Sequence, residues 1–217
     1  MSIADILALS ILLAARAAFA GEMPVDGVTA KEPFWKTPAV YKTITDKREL
    51  AVSAKIEKSE KEGKGLERLQ VVAAGQVSVP LEYAWKKVRD FERLPKISSH
   101  FNKAVYYPDA KRLYIEVEAI GYHAHLMLSL EYKDVASDWK EIRWEVVDYS
   151  FIGMRGTIRL EDYKGSKTEM SLFSEHETKK LPLPPPLKAL VIEVVSQRVA
   201  GLFRQYIESE YKKERKK

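Results

Sequence analysis

Between Leu113 and Ser174 the chain repeats one pattern, short runs in which every second residue is apolar. Leu113, Ile115, Val117 and Ala119 form one set, and Ala124, Leu126, Leu128, Leu130 and Tyr132 the next. Ile142, Trp144 and Val146 follow, then Met154, Gly156, Ile158 and Leu160, and last Met170, Leu172 and Ser174. A period of two places each set on one face of a strand, with polar residues opposite, so a sheet with one buried and one wet face is expected. The connections are short, as at Lys164-Gly165-Ser166, which favours antiparallel pairing of consecutive strands. Such a sheet needs a cover for its apolar face. The end of the chain supplies one, where Ile192, Val195, Val199, Leu202, Phe203 and Tyr206 make a broad stripe at helical spacing.

The first part of the chain adds to this plan. Leu50, Val52, Ala54 and Ile56 alternate, a charged turn spans 58–65, and a second strand over about 69–79 pairs back as a hairpin. Pro80 stands where a helix opens, with Leu81, Ala84, Trp85 and Val88 at helical spacing; this helix ends by Pro95, and a second short turn covers 97–101. The order is a strand hairpin, two short helices, several antiparallel strands and one long terminal helix. That is an α+β layer arrangement with the helix on one sheet face.

Three stretches then resemble the START-like (helix-grip) superfamily, which includes polyketide cyclase/dehydrase-like and coenzyme Q-binding proteins. Val77-Ser78-Val79-Pro80-Leu81-Glu82-Tyr83-Ala84-Trp85 is similar to the family's first strand and helix entry. Asp90-Phe91-Glu92-Arg93-Leu94-Pro95-Lys96 resembles its D-x-x-x-x-P element between the helices. Gly156-Thr157-Ile158-Arg159-Leu160, with Lys167-Thr168-Glu169-Met170, looks like its penultimate hairpin. The resemblance implies a curved antiparallel sheet wrapped around a long C-terminal helix over residues 48–217. It also implies an apolar cavity between sheet and helix, which family members use for lipids, isoprenoids, steroids or polyketides. None of the three motifs is catalytic: Trp85 is expected to anchor its helix, Asp90 to cap the next turn, and Pro95 to set a corner.

The inward positions give the candidate ligand-binding set: Leu113, Ile115, Val117, Leu126, Leu128, Leu130, Ile142, Trp144, Val146, Met154, Ile158, Leu160, Met170 and Leu172, opposed by Ile192, Val195, Val199 and Leu202. A simply filled core is the bland alternative. His176 and Asp148 share the inward parity and are the weak candidates for an acid/base pair at the cavity. His123 and His125 share the opposite, wet face with Glu116, Glu118, Arg143 and Arg159, so exposed strand residues and cross-strand charge pairs are expected there rather than a metal site.

The ends of the chain carry their own expectations. Residues 6–15 are an uncharged apolar run and Ala18-Phe19-Ala20 offers small residues for cleavage, which reads as an export signal over 1–20 and a periplasmic or secreted address. Residues 21–47, with Pro24, Pro33 and Pro38, read as an extended leader. Lys212-Lys213-Glu214-Arg215-Lys216-Lys217 places cations at a helix C-terminus and is a candidate for transient contact with an anionic membrane. The absence of cysteine excludes disulfides and thiolate chemistry. The 36 basic and 31 acidic residues are interleaved, which disfavours nucleic acid as a partner.

Nothing in the sequence calls for a cofactor or metal. Non-catalytic binding or transport of an apolar small molecule or lipid is the leading expectation. A polyketide cyclase/dehydratase-like enzyme and a structural or protein-interaction domain with a filled core stand as alternatives.

Overall fold

The computed structural model describes residues 33–59, 66–119, 122–136, 138–179 and 185–216. The expected export signal and the leader up to residue 32 lie outside the described residues. The strands are β1 (Ala51–Ser59), β2 (Leu66–Val77), β3 (Phe101–Tyr107), β4 (Arg112–Ala119), β5 (Tyr122–Ala136), β6 (Trp139–Tyr149), β7 (Arg155–Tyr163) and β8 (Lys167–Lys179). The helices are α1 (Pro38–Asp46), α2 (Leu81–Val88), α3 (Leu94–Ile97) and α4 (Pro185–Glu214). Among the described residues these eight strands form one antiparallel sheet in the order β1-β2-β8-β7-β6-β5-β4-β3. The alternating runs become β4 to β8, each paired with the next, as short connections require.

Register decides which residues share a face. Val52, Ala73, Leu172, Ile158, Ile142 and Tyr132 are successive Cα partners across β1, β2, β8, β7, β6 and β5. Ala54, Val71, Ser174, Gly156, Trp144 and Leu130 make the next row. Ile192 of α4 packs with Ala54, Leu69 and Val71, so these rows lie on the concave face that the terminal helix covers. The helix runs along β1 and β2: the Glu193 carboxylate accepts the Ala54 N–H at 2.9 Å, and Arg204 donates to the Arg48 carbonyl at 2.6 Å. At its far end Ile207 is fully buried and the Tyr211 ring meets Tyr83 of α2 edge-on at 4.7 Å.

Four expectations are corrected. The leader is not extended throughout: a 3-10 turn at Phe34–Lys36 and helix α1 follow Pro33, because Pro38 sits in the first helical turn, where a missing N–H costs nothing. Helix α1 packs on β2 and buries Ile44 to 2% exposure. Lys36 reaches Glu169 at 2.7 Å, and the Tyr41 hydroxyl donates to the same carboxylate. Glu169 has the opposite parity to Met170 of the concave face, so α1 covers part of the convex face.

Strand β3 was not anticipated. Its buried Ala104 and its Tyr106 pair with Ile115 and Leu113, while the rest of its pattern is irregular at a bulge between Phe101 and Lys103. Asp90 does not cap the following turn with its side chain; its carboxylate faces Arg93 at 3.4 Å and the Tyr206 hydroxyl at 3.5 Å. The wet-face arginines pair along their own strands, Arg143 with Glu141 at 2.7 Å and Arg159 with Glu161 at 2.8 Å, rather than across them.

Candidate functional site

The concave face divides by accessibility. Leu113, Ile115, Val117, Leu126, Leu130, Ile142, Val146, Leu160 and Ile192 are buried at 9% exposure or less. Leu128, Trp144, Met154, Ile158, Met170, Leu172, Val199 and Leu202 are only partly buried. The side chain of Val195 lies outside the described residues. Apolar side chains on a face turned toward a helix normally close on one another. Here Leu128, Trp144, Ile158 and Leu172 on β5 to β8 keep partial access, while α4 packs chiefly on β1 and β2 at one side of the sheet. The expected lining residues therefore fall into a packed floor and an accessible strip.

Trp144 shapes that strip. Its partner across β6 and β7 is Gly156, and a Cβ at Gly156 would lie 2.5 Å from Cζ2 and 2.7 Å from Cε2 of the indole. The missing side chain lets the indole lie across β7, giving the concave face a flat aromatic area.

Helix α2 closes one end. Trp85 is 2% exposed and meets the Tyr132 ring edge-on at 6.1 Å. Lys140, two residues before Ile142 and of the same parity, is 5% exposed, with its ammonium 2.6 Å from Asp134, 2.9 Å from Glu82 and 5.9 Å from the Trp85 ring centre. Hydrogen bonding to Asp134, opposed by burial and reinforced by Glu82, holds this ammonium above the usual lysine range. Burial, then hydrogen bonding with Tyr106, raises the Tyr132 phenol well above its ordinary value. Sequence reasoning passed over Lys140 and Tyr132 as site residues although parity placed both on the inward face. In the sequence a lysine there looks like a surface residue, because its two carboxylates come from other elements, Glu82 from α2 and Asp134 from β5.

The β6–β7 turn stands at the other end. Tyr149 and Phe151 both have positive φ, 69° and 66°, and Phe151 is turned inward to 4% exposure against the His176 ring at 6.1 Å and 78°. His176, itself 4% exposed, lies on the concave face opposite Leu69. Asp148 does not join it: a register shift between Met127 and Leu128 sets Asp148 opposite Met127, reverses its parity and leaves it exposed, accepting from the Tyr149 N–H at 2.8 Å. The two weak catalytic candidates thus stand apart. No sequence signal marks Phe151 for this place, since its backbone conformation carries it there.

On the convex face His125 stacks on Tyr114 at 6.2 Å and His123 lies 3.6 Å from Glu118. Among the described residues no group of three or more His, Cys, Asp or Glu is arranged to hold a metal ion. Among the described residues, too, no helix is long and apolar enough to cross a membrane.

No family model matches the chain, and no curated protein matches its sequence. Solved structures do match. A START superfamily protein from Mycobacterium smegmatis has a TM-score of 0.53 at 18% identity, over 64% of this chain and 97% of that one. The fold is START-like. The Zhui aromatase/cyclase from Streptomyces sp. R1128 matches with a TM-score of 0.53 at 15% identity, covering 66% of this chain and 93% of its own. A STAR-related lipid transfer protein from Xanthomonas axonopodis matches at 0.52 and 10% identity, over 71% and 98%. At these identities the likeness establishes the START-like architecture and leaves the chemistry to the side chains.

Proposed function

We propose that the protein binds an apolar small molecule or lipid against the concave face and carries it without chemical change. The observation that supports this is the partly accessible apolar strip of Leu128, Trp144, Ile158 and Leu172 beside a buried floor that includes Leu113, Leu130, Ile142 and Leu160. Burying an alkyl chain there gains roughly 0.8 kcal/mol per CH₂, so a ten-carbon chain gains about 8 kcal/mol before ordering costs. Solved neighbours of the fold include one named as a lipid transfer protein and one named as an aromatase/cyclase, consistent with apolar cargo of either kind. The non-catalytic part of the reading is supported by Asp148, which is exposed and accepts from its own turn instead of facing inward beside His176. An acid/base pair needs its members within hydrogen-bond reach.

Incubating the full chain with a bacterial lipid extract, followed by native mass spectrometry, tests the reading. One retained apolar species per chain, recovered unchanged in mass, is the expected result. A chain that emerges bare and fails to bind an apolar fluorescent probe overturns it. A cargo recovered altered in mass by the wild type but not by His176→Ala would replace the carrier with an enzyme.

A further inference from the structure

A second concavity lies away from the concave face, where the end of α4 meets the segment before β1 and the β2–α2 connection. It has a volume of about 540 Å³ and is lined by Arg48, Ser78, Glu208, Tyr211, Lys212, Arg215 and Lys216. Four cations face one carboxylate, and that carboxylate is already engaged: Glu208 pairs with Arg48 and accepts the Ser78 N–H at 2.8 Å. The neighbouring acids on α4 are engaged as well, Glu210 by Lys213 at 2.8 Å and Glu214 by Lys87 at 2.7 Å. Lys212, Arg215 and Lys216 therefore keep their charge for something else, and among the described residues none of the three has an ion-pair partner. The Arg215 guanidinium is set over the Tyr211 ring at 5.7 Å, and Arg48 is fixed by its pairing to Glu208 and by Arg204 on its own carbonyl, in a backbone with φ of 57°.

Cations from two separate segments, Arg48 before β1 and Lys212, Arg215 and Lys216 at the end of α4, around a hollow of small-molecule size differ from a row of lysines on a solvated helix. Arginine forks and ammonium groups together suit an anion with several acceptor oxygens. We propose that this basin binds a phosphate-bearing anion, with Arg48 and Arg215 as the oriented donors and Lys212 and Lys216 as point charges. The same chemistry fits a soluble organic phosphate or the phosphate headgroup of a lipid in a membrane. The basin is separate from the accessible strip on the concave face, so its occupancy does not depend on the carrier reading.

The full chain is titrated with inorganic pyrophosphate by calorimetry at near-physiological salt. In parallel it is co-sedimented with phosphatidylcholine vesicles with and without about one-third phosphatidic acid, a composition chosen so that screening still permits attraction. Binding is compared with Lys212→Glu/Arg215→Glu/Lys216→Glu and with Lys42→Glu/Lys55→Glu/Lys96→Glu, exposed substitutions of matched net charge elsewhere. The basin variant is expected to lose at least tenfold in affinity and the control less than threefold. Pyrophosphate binding without vesicle binding assigns a soluble anion, and retention on phosphatidic acid vesicles assigns a headgroup. Binding of neither probe, or equal losses in the two variants, overturns the proposal.

Discussion

The Trp144 indole lies across Gly156 of the adjacent strand, at a spacing where even a methyl group would meet its ring at 2.5 Å. The same methyl would also press on the Phe173 carbonyl, which is backbone and cannot swing aside. Gly156→Ala is therefore expected to destabilise the fold by about 1–3 kcal/mol, the usual cost of overpacking, as a lowered urea midpoint with an unchanged slope. Because the indole has to lift toward the accessible strip, the fluorescence of the folded state is expected to change as well. An unaltered midpoint and spectrum would show that Trp144 does not rest on this glycine.

Much of this arrangement is legible in the sequence. Alternation from Leu113 to Ser174 specified β4 to β8, and the stripe from Ile192 to Tyr206 specified the covering helix, because burial on one face imposes its period on the sequence. What was hidden depends on tertiary position. Strand parity points Asp148 inward, but a bulge that leaves no trace in residue type turns it outward. Lys140 was passed over because its neutralising partners come from α2 and from the end of β5. Helix α1 reads as leader in the sequence because prolines obscure the local signal, and the segment is held by contacts made 125 to 133 residues away in sequence.

Those contacts predict that α1 is held by Glu169. Burial alone would raise this carboxyl, but hydrogen bonds from Lys36, Tyr41 and Gln76, with the Lys36 charge, bring it below its ordinary value. Replacing it by alanine leaves Lys36 and Tyr41 without their shared acceptor. Amide exchange across residues 38–46 is expected to accelerate at least tenfold in Glu169→Ala, while β4 and β5 keep their protection. Equal acceleration throughout the sheet would mean that Glu169 supports the whole fold rather than the docking of α1.

A second convex-face carboxylate gives a pH-dependent prediction. Glu175, 9% exposed, is paired with Arg68 and Arg155, and their hydrogen bonds outweigh the effect of burial and hold its carboxyl below the usual 4.5. A carboxyl lowered in the folded state binds its proton more readily when unfolded. Its contribution is thus complete above the unfolded value and is lost as pH falls through the folded one. Glu175→Gln should cost about 2 kcal/mol at pH 7, in the range of hydrogen bonds to charged groups, with the gap to wild type shrinking below about pH 4. Urea unfolding of both proteins at pH 7 and pH 3.5 measures this, and a constant gap would contradict it.

The decisive question for the concave face is whether Leu172 borders space or packed atoms. Its cross-strand neighbours are Ala73 and Ile158, and only Ala73 is buried. If the strip is open, Leu172→Trp places an indole in the volume a ligand would use, at little cost to folding and with loss of an apolar probe's binding by tenfold or more. If it is filled, the same substitution overpacks a core and costs about 1–3 kcal/mol, with no probe binding to lose. Leu160→Trp is the internal standard, since Leu160 is on the same face, in the packed floor, and fully buried. A carrier predicts that the two tryptophans separate, Leu172→Trp by binding and Leu160→Trp by stability. A filled domain predicts that both lose stability alike. Measuring the urea midpoint and probe affinity of the pair therefore discriminates a binding protein from one that only displays its surface.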